Sequence, residues 1–252
     1  MDGLARIADE LRTAETAAVL TGAGISAPSG VPTFRGEDGI WGEEFDVSQF
    51  HYDRFRADPA AFWSDRLDLR AEMGAGSHDP NAGHRALADL TEAGILDAVI
   101  TQNVDGLHQQ ASNEGEILEL HGSGARVRCE SCGTTADSAP ISARAMDGEL
   151  PPRCSCGGVY KPDVVLFGER LPSAVLERSQ ALAEQSDVFL AVGSSLVVEP
   201  AASLPRIAAT TGATLAIVNL ESTPCDGQAS VCWQDDVTTV LPRLVEAVLE
   251  QD

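Results

Sequence analysis

The chain has 252 residues, of which 43% are hydrophobic, 22% charged and 5% aromatic, so roughly 70–75% of its extended surface can be buried around a substantial core. Seventeen basic against 39 acidic residues leave a formal charge of −22, and no cationic cluster exists for phosphate contact, which argues against direct nucleic-acid binding. All but one of the cations are Arg, the single Lys being Lys161; acid excess with Arg in place of Lys reads as a surface built for high salt, where screening over about 3 Å at 1 M makes self-repulsion tolerable.

Leu4, Ile7 and Leu11 recur at helical spacing, and the apolar run 17–20 reads as a buried strand leading straight into Gly22-Ala23-Gly24-Ile25-Ser26-Ala27. This resembles a dinucleotide fingerprint, with small residues that let backbone approach a pyrophosphate at a helix N-terminus. The acidic residue that a hydride-transferring enzyme places about 20 positions further on is missing. Residues 36–77 are loop-like and then helical. A helix at 82–93 ends at Gly94, and strands at 95–100 and 117–120 run into Thr101-Gln102-Asn103-Val104-Asp105 and His121-Gly122.

The segment 124–160 is turn-rich with little periodicity, and 164–167 is another apolar run. A helix is predicted over 173–185, a strand over 187–192 ending in Gly193-Ser194-Ser195, a strand over 214–218 ending in Asn219, and a terminal helix over 237–250. Strands alternating with helices predict a Rossmann-like α/β fold, a parallel sheet covered on both faces, whose ligands bind beyond the strand C-termini. No apolar run is long enough to span a bilayer and no leader-like segment opens the chain, which reads as a cytoplasmic protein with no membrane contact.

Cys129, Cys132, Cys154 and Cys156 have the pairing expected of a four-thiolate zinc site. Four protein thiolates fill the tetrahedron, so this zinc is structural and leaves no position for the water of a metal hydrolase. Cys225 and Cys232 read as ordinary buried or half-buried residues. Of the five histidines, His121 alone ends a strand beside a glycine, and an imidazole with an ordinary pKa of about 6.5 suits a general base. His51, His78, His84 and His108 read as packing, capping or surface residues.

Taken in order, Gly22 to Ser26, Gly30-Val-Pro-Thr-Phe-Arg35, Thr101 to Asp105, His121-Gly122, the four cysteines, Lys161-Pro-Asp-Val-Val-Leu-Phe-Gly-Glu169, Gly193 to Pro200, Val218-Asn219 and Asp236-Val237 resemble the sirtuins, NAD-dependent protein lysine deacylases. The resemblance covers residues 14–245. It implies an NAD-binding unit made of 1–35, 78–123 and 161–252, a helical insertion at 36–77 and a zinc module at 124–160. It further implies that Gly22, Ala23, Gly24, Phe34, Arg35 and Gln102 hold the pyrophosphate and ribose of NAD. Asn103 and Asp105 would position the nicotinamide end, and Gly193, Ser194, Ser195, Asn219 and Val237 the adenosine end.

By the same resemblance, acyl-lysine of a protein or peptide would enter beside Phe34, Val165 and Phe167. Its backbone would pair with Gly168-Glu169 and Leu196-Val197. The acyl oxygen displaces nicotinamide, His121 deprotonates a ribose hydroxyl, and water yields free lysine and O-acyl-ADP-ribose. NAD consumed as a co-substrate needs no ribose-reading acid, which accounts for the missing residue. Relatives that prefer succinyl or malonyl groups have a Tyr-x-x-Arg pair; residues 54–77 contain no Tyr, which favours acetyl and other uncharged acyl groups, although Arg66 or Arg70 would be the cations available to a carboxylate. The same NAD site would also serve mono-ADP-ribosyl transfer to protein. A non-catalytic NAD-binding module would lack the base or the Asn/Asp pair, and both are present.

Overall fold

The run Ala17–Thr21 forms a fully buried strand, β1, because it is apolar on both faces, as a strand covered on both sides must be. The computed structural model describes residues 3–33, 45–72, 78–112 and 114–250. Around β1 lie β2 (Ala98–Thr101), β3 (Glu116–Glu119), β7 (Val188–Val192), β8 (Thr214–Val218) and β9 (Val231–Trp233), all parallel in the order β3-β2-β1-β7-β8-β9. The order reverses between β1 and β7, and a crevice at such a switch point is where open parallel sheets bind ligands.

Period-two alternation sorts the strand residues between two cores. Val19, Val99, Leu190 and Val218 face α1 (Gly3–Thr13), α4 (Ala82–Glu92) and α9 (Val237–Leu249), where Ile7, Leu11, Leu87, Leu90, Leu241 and Leu244 complete one layer. Leu20, Ile100, Phe189 and Ile217 face α7 (Ser173–Gln185) and α8 (Ser203–Thr211) through Leu182, Ala183, Leu204 and Ala208. The short α5 (Leu107–Ala111) follows β2.

The second sheet is small and antiparallel, β5 (Thr135–Asp137), β4 (Gly122–Cys129) and β6 (Tyr160–Val164) in that order, with α6 (Ser138–Met146) beside it. It shares a core with α2 (Tyr52–Ala57) and α3 (Pro59–Glu72): Phe50, Phe55, Phe62 and Trp63 pack on Val127, Ile141, Tyr160 and Leu166. Phe55 and Phe62 meet edge to face at 5.2 Å, and Trp63 Nε1 donates to the Tyr160 carbonyl at 2.8 Å, so the aromatic ring faces and the indole N–H are both used.

Several sequence expectations are corrected. The segment 124–160 contains two strands and the helix α6 as well as turns; a three-residue strand and short alternating stretches give too little period to read. The apolar run 164–167 only overlaps the end of β6 at Val164. Beyond it the chain is extended, with an isolated bridge between His51 and Phe167. Strand β2 starts at Ala98 rather than 95, because Ile95 and Leu96 donate back to the Leu90 carbonyl and close α4 over Gly94 (φ +71°). The fingerprint opens two 3-10 turns, 23–25 and 27–29, rather than a regular helix. Helices α5 and α8 and strand β9 have no counterpart in the sequence reading. Cys225 is buried as expected, whereas Cys232 is exposed. No described helix is long and apolar enough to cross a membrane.

Candidate functional site

The strand C-termini at the switch point are joined by backbone hydrogen bonds into one rim. Gly22 N–H donates to Val192 O at 3.1 Å, Gln102 N–H to Thr21 O at 3.0 Å, Leu120 N–H to Thr101 O at 2.9 Å and Gly193 N–H to Val218 O at 2.8 Å. The rim closes tightly because its glycines have no side chains. A Cβ on Gly24 would lie 2.8 Å from Gly193 Cα, and one on Gly193 (φ +59°) would lie 2.2 Å from Ile25 N. Gly24 and Gly193, 169 positions apart in the chain, therefore belong to one interlocked structure.

Each polar side chain on the rim has a fixed partner. Gln102 Nε2 donates to Ser194 Oγ at 2.9 Å, and Asn103 Nδ2 donates to Gly22 O and Ser26 Oγ, both at 3.1 Å. Ser26 Oγ in turn donates to Asp105 Oδ2 at 2.7 Å, while Asp105 Oδ1 accepts from Leu107 N–H at 2.9 Å. His121 Nδ1 lies 2.9 Å from Gln102 O. A carbonyl only accepts, so Nδ1 carries the proton and the lone pair of the ring sits on Nε2. Gly122 (φ +75°) turns the chain directly after His121, where a Cβ would lie 2.1 Å from Asp163 O.

Beneath the rim lie two buried histidines. His84 Nε2 is 3.3 Å from Ser26 Oγ and its Nδ1 accepts from Asn81 N–H at 3.4 Å. The Ser26 hydroxyl proton is committed to Asp105, so Nε2 is the donor. His108 Nε2 is 2.9 Å from Thr21 Oγ1, which donates to Thr101 Oγ1, and Thr101 Oγ1 accepts from Asn103 N–H at 3.1 Å. The rings meet at 4.9 Å. Burial pushes His84 down to about 4 against a weaker opposing pull from Asp105, and burial with His84 alongside pushes His108 down to about 3. Both rings are neutral, in tautomers that support Asn103 and Asp105. The sequence reads both rings as packing, capping or surface residues; His84 does close a capping box with Asn81 at the start of α4, while its contact with Ser26 and that of His108 with Thr21 arise only in the fold.

The remaining sequence-predicted residues lie along the same edge or close to it. Ala23 follows β1, Ser195 is exposed after β7, Asn219 ends β8 with its N–H on Trp233 O at 3.0 Å, and buried Val237 opens α9. Leu196 adopts φ +54°, a left-handed conformation rare for a branched side chain, and Val197 beside it is exposed. Val165 N–H donates to His121 O at 2.9 Å and Phe167 N–H to Phe50 O at 3.2 Å, which carries Val165, Phe167, Gly168 and Glu169 past His121. Phe34 and Arg35 lie outside the described residues.

The cysteines form a second site. Cys129, Cys132, Cys154 and Cys156 bring four Sγ atoms within 4.8 Å of one another, with pairs at 3.5 and 3.8 Å. Four thiolates about 2.3 Å from a tetrahedral zinc would be about 3.8 Å apart, so the cage fits that ion. Gly158 N–H points to Cys156 Sγ at 3.4 Å, as a thiolate knuckle requires.

The Sir2 family model matches residues 22–200. An NAD-dependent protein deacetylase of Haloarcula marismortui is 54% identical over 95% of this chain and 92% of its own length, and NAD-dependent protein deacylase 2 of Archaeoglobus fulgidus is 43% identical over 98% and 96%. A solved Sir2 enzyme aligns with TM-score 0.86 at 44% identity over 98% of both chains, and a Sir2–p53 peptide–NAD+ complex with TM-score 0.84 at 35% identity over 96% of both. Matched along nearly its whole length in both sequence and fold, this chain belongs to the Sir2 family.

Proposed function

We propose that this protein is an NAD-dependent protein lysine deacylase that transfers the acyl group to ADP-ribose and releases nicotinamide. The observation that carries the reading is the placement of His121, its lone pair on Nε2, at the C-terminal end of β3, one strand from Asn103 and Asp105 at the end of β2. NAD supplies the electrophilic ribose carbon and the leaving nicotinamide. Gly22, Ala23, Gly24, Gln102, Phe34 and Arg35 bind its pyrophosphate and proximal ribose. Gly193, Ser194, Ser195, Asn219 and Val237 bind the adenosine end. Asn103 and Asp105, held by Ser26, orient the nicotinamide end, and His121 takes a ribose hydroxyl proton on Nε2. Acyl-lysine lies beside Phe34, Val165 and Phe167, with its backbone on Gly168-Glu169 and Leu196-Val197.

The unit assembled from 1–35, 78–123 and 161–252 carries this chemistry, with 36–77 as an insertion. The module 124–160 is held by one zinc on Cys129, Cys132, Cys154 and Cys156. With all four positions taken by thiolates, that zinc supplies structure and no reaction step. The preferred acyl groups are acetyl and other uncharged ones. In support, Arg70 is engaged with Ser142 Oγ at 3.3 Å and the Arg66 guanidinium lies over the Trp63 ring, and residues 54–77 contain no Tyr. Solved relatives include complexes with acetylated and propionylated peptides. The Lys-poor, acidic composition supports a salt-rich cytoplasm as the working environment.

Mass spectrometry of acetyl- and succinyl-lysine peptides, with and without NAD, tests the reading. The expected products are free lysine, nicotinamide and O-acetyl-ADP-ribose, formed only with NAD and faster from the acetyl peptide. ADP-ribose attached to the peptide, with its acyl group intact, would instead identify a transferase.

A further inference from the structure

The chain has sixteen arginines and one lysine, and that lysine is nowhere near the surface chemistry that favours arginine. Lys161 lies on β6, paired with Arg128 of β4, and its side chain is only 9% exposed. Its Nζ donates to Val164 O at 2.8 Å and to Glu169 Oε2 at 2.9 Å. The same carboxylate oxygen accepts Leu166 N–H at 2.7 Å, and Glu169 N–H donates to Leu166 O at 3.0 Å. One ammonium and one carboxylate thus tie together both ends of the segment 164–169. An ammonium is a compact point charge that satisfies two acceptors in a closed space, whereas the planar fork of a guanidinium carries five donors that would need partners.

That segment is also anchored outward, by Val165 to the backbone of His121 and by Phe167 to Phe50 and Tyr52. A buried ion pair contributes little net stability, because desolvation offsets attraction, but it can fix one conformation. We propose that Lys161, acting through Glu169, is a positioning residue that sets the shape of the acyl-peptide-binding segment 164–169 relative to His121. This rests on the deacylase reading given above.

Lys161→Met leaves Glu169 without its cation, and losing a hydrogen bond to a charged group should raise the KM for acyl peptide by about tenfold or more. The KM for NAD stays unchanged and Lys161→Arg restores only part of the peptide affinity. Adding Glu169→Gln to Lys161→Met costs less than the two single changes summed, as coupled partners do. Because the chain has one lysine, an amine-reactive acetyl ester used without NAD reads that side chain directly in the native protein. Lys161 should react more slowly than the α-amino group, more slowly still with acyl peptide bound, and faster in Glu169→Gln. The proposal is overturned if Lys161→Met leaves the peptide KM unchanged, if it raises both KM values alike, or if peptide does not alter the labelling rate of native Lys161. Native protein that releases no nicotinamide with any acyl peptide would instead refute the deacylase reading, while labelling in Glu169→Gln still reports on the pair.

Discussion

His121 has its two ring nitrogens in unlike settings, Nδ1 tied to the Gln102 carbonyl and Nε2 carrying the lone pair. A side chain held in one tautomer is pre-organised to accept a proton, and on the proposed reading removing it takes away the base without touching the core. His121→Ala should therefore lower kcat for deacetylation by about a hundredfold or more, with the thermal midpoint nearly unchanged; steady-state assays beside a thermal melt check both. The buried pair His84 and His108 has the opposite character. Both pKa values are depressed in the folded state, to about 4 and about 3, while the unfolded chain takes up these protons from about pH 6.5 downward. The unfolded state then binds more protons, so stability is full above about 6.5 and is lost as pH falls, by on the order of 1 kcal/mol per pH unit for each ring until the folded pKa is reached. Urea midpoints measured at pH 7.5 and 5.0 should show this fall, and His108→Gln should flatten it.

At the level of elements, the interlock of the β1 and β7 ends leaves no room for a methyl group. Gly24→Ala sets a Cβ against Gly193 backbone atoms that no rotamer change can move. Overpacking of this kind costs about 1–3 kcal/mol, and here it also spreads the rim, so weaker NAD binding and a lower thermal midpoint are expected together; calorimetry reads both. The small sheet depends on a different device. Strand β5 has three residues and the cysteines close the turns around it, so stripping the metal should loosen β4, β5 and α6 first. Hydrogen exchange after chelation should show protection lost there and through the shared aromatic core at Phe62 and Trp63, with β1 and β7 still protected. Active protein should contain one zinc per chain. Activity falls as a consequence, because β6 leads directly into the segment 164–169.

For the molecule as a whole, a charge of −22 on 252 residues repels itself in dilute buffer. Salt screens that repulsion, and added KCl should raise the thermal midpoint, each kcal/mol of relief being worth about 2–4 °C at this size. A midpoint independent of KCl would refute the salt-adapted reading. Screening would also remove electrostatic steering of a cationic substrate tail, so on the proposed reading recognition would fall to backbone pairing rather than charge.

The sequence by itself determined the elements whose pattern is local. Apolar runs of four or five residues ending in polar, Gly-rich turns marked β1, β2, β7 and β8, helical periodicity marked α1, α4, α7 and α9, and cysteine spacing marked the four-thiol cluster. The three-residue β9 and the sheet of 124–160 escaped because such short elements carry little periodicity and are stabilised by what they pack against, and the nine-residue α8 carries Pro205 near its start, a residue that reads as a loop or break in sequence. Only the tertiary structure decided that Gly24 and Gly193 interlock, that α3 and the small antiparallel sheet share one aromatic core, and that His84 and His108 lie beneath Asn103 and Asp105. It likewise decided that the single lysine closes on Glu169. Such contacts join residues far apart in the chain, and their energies depend on close approach and burial, which no local pattern of residues encodes.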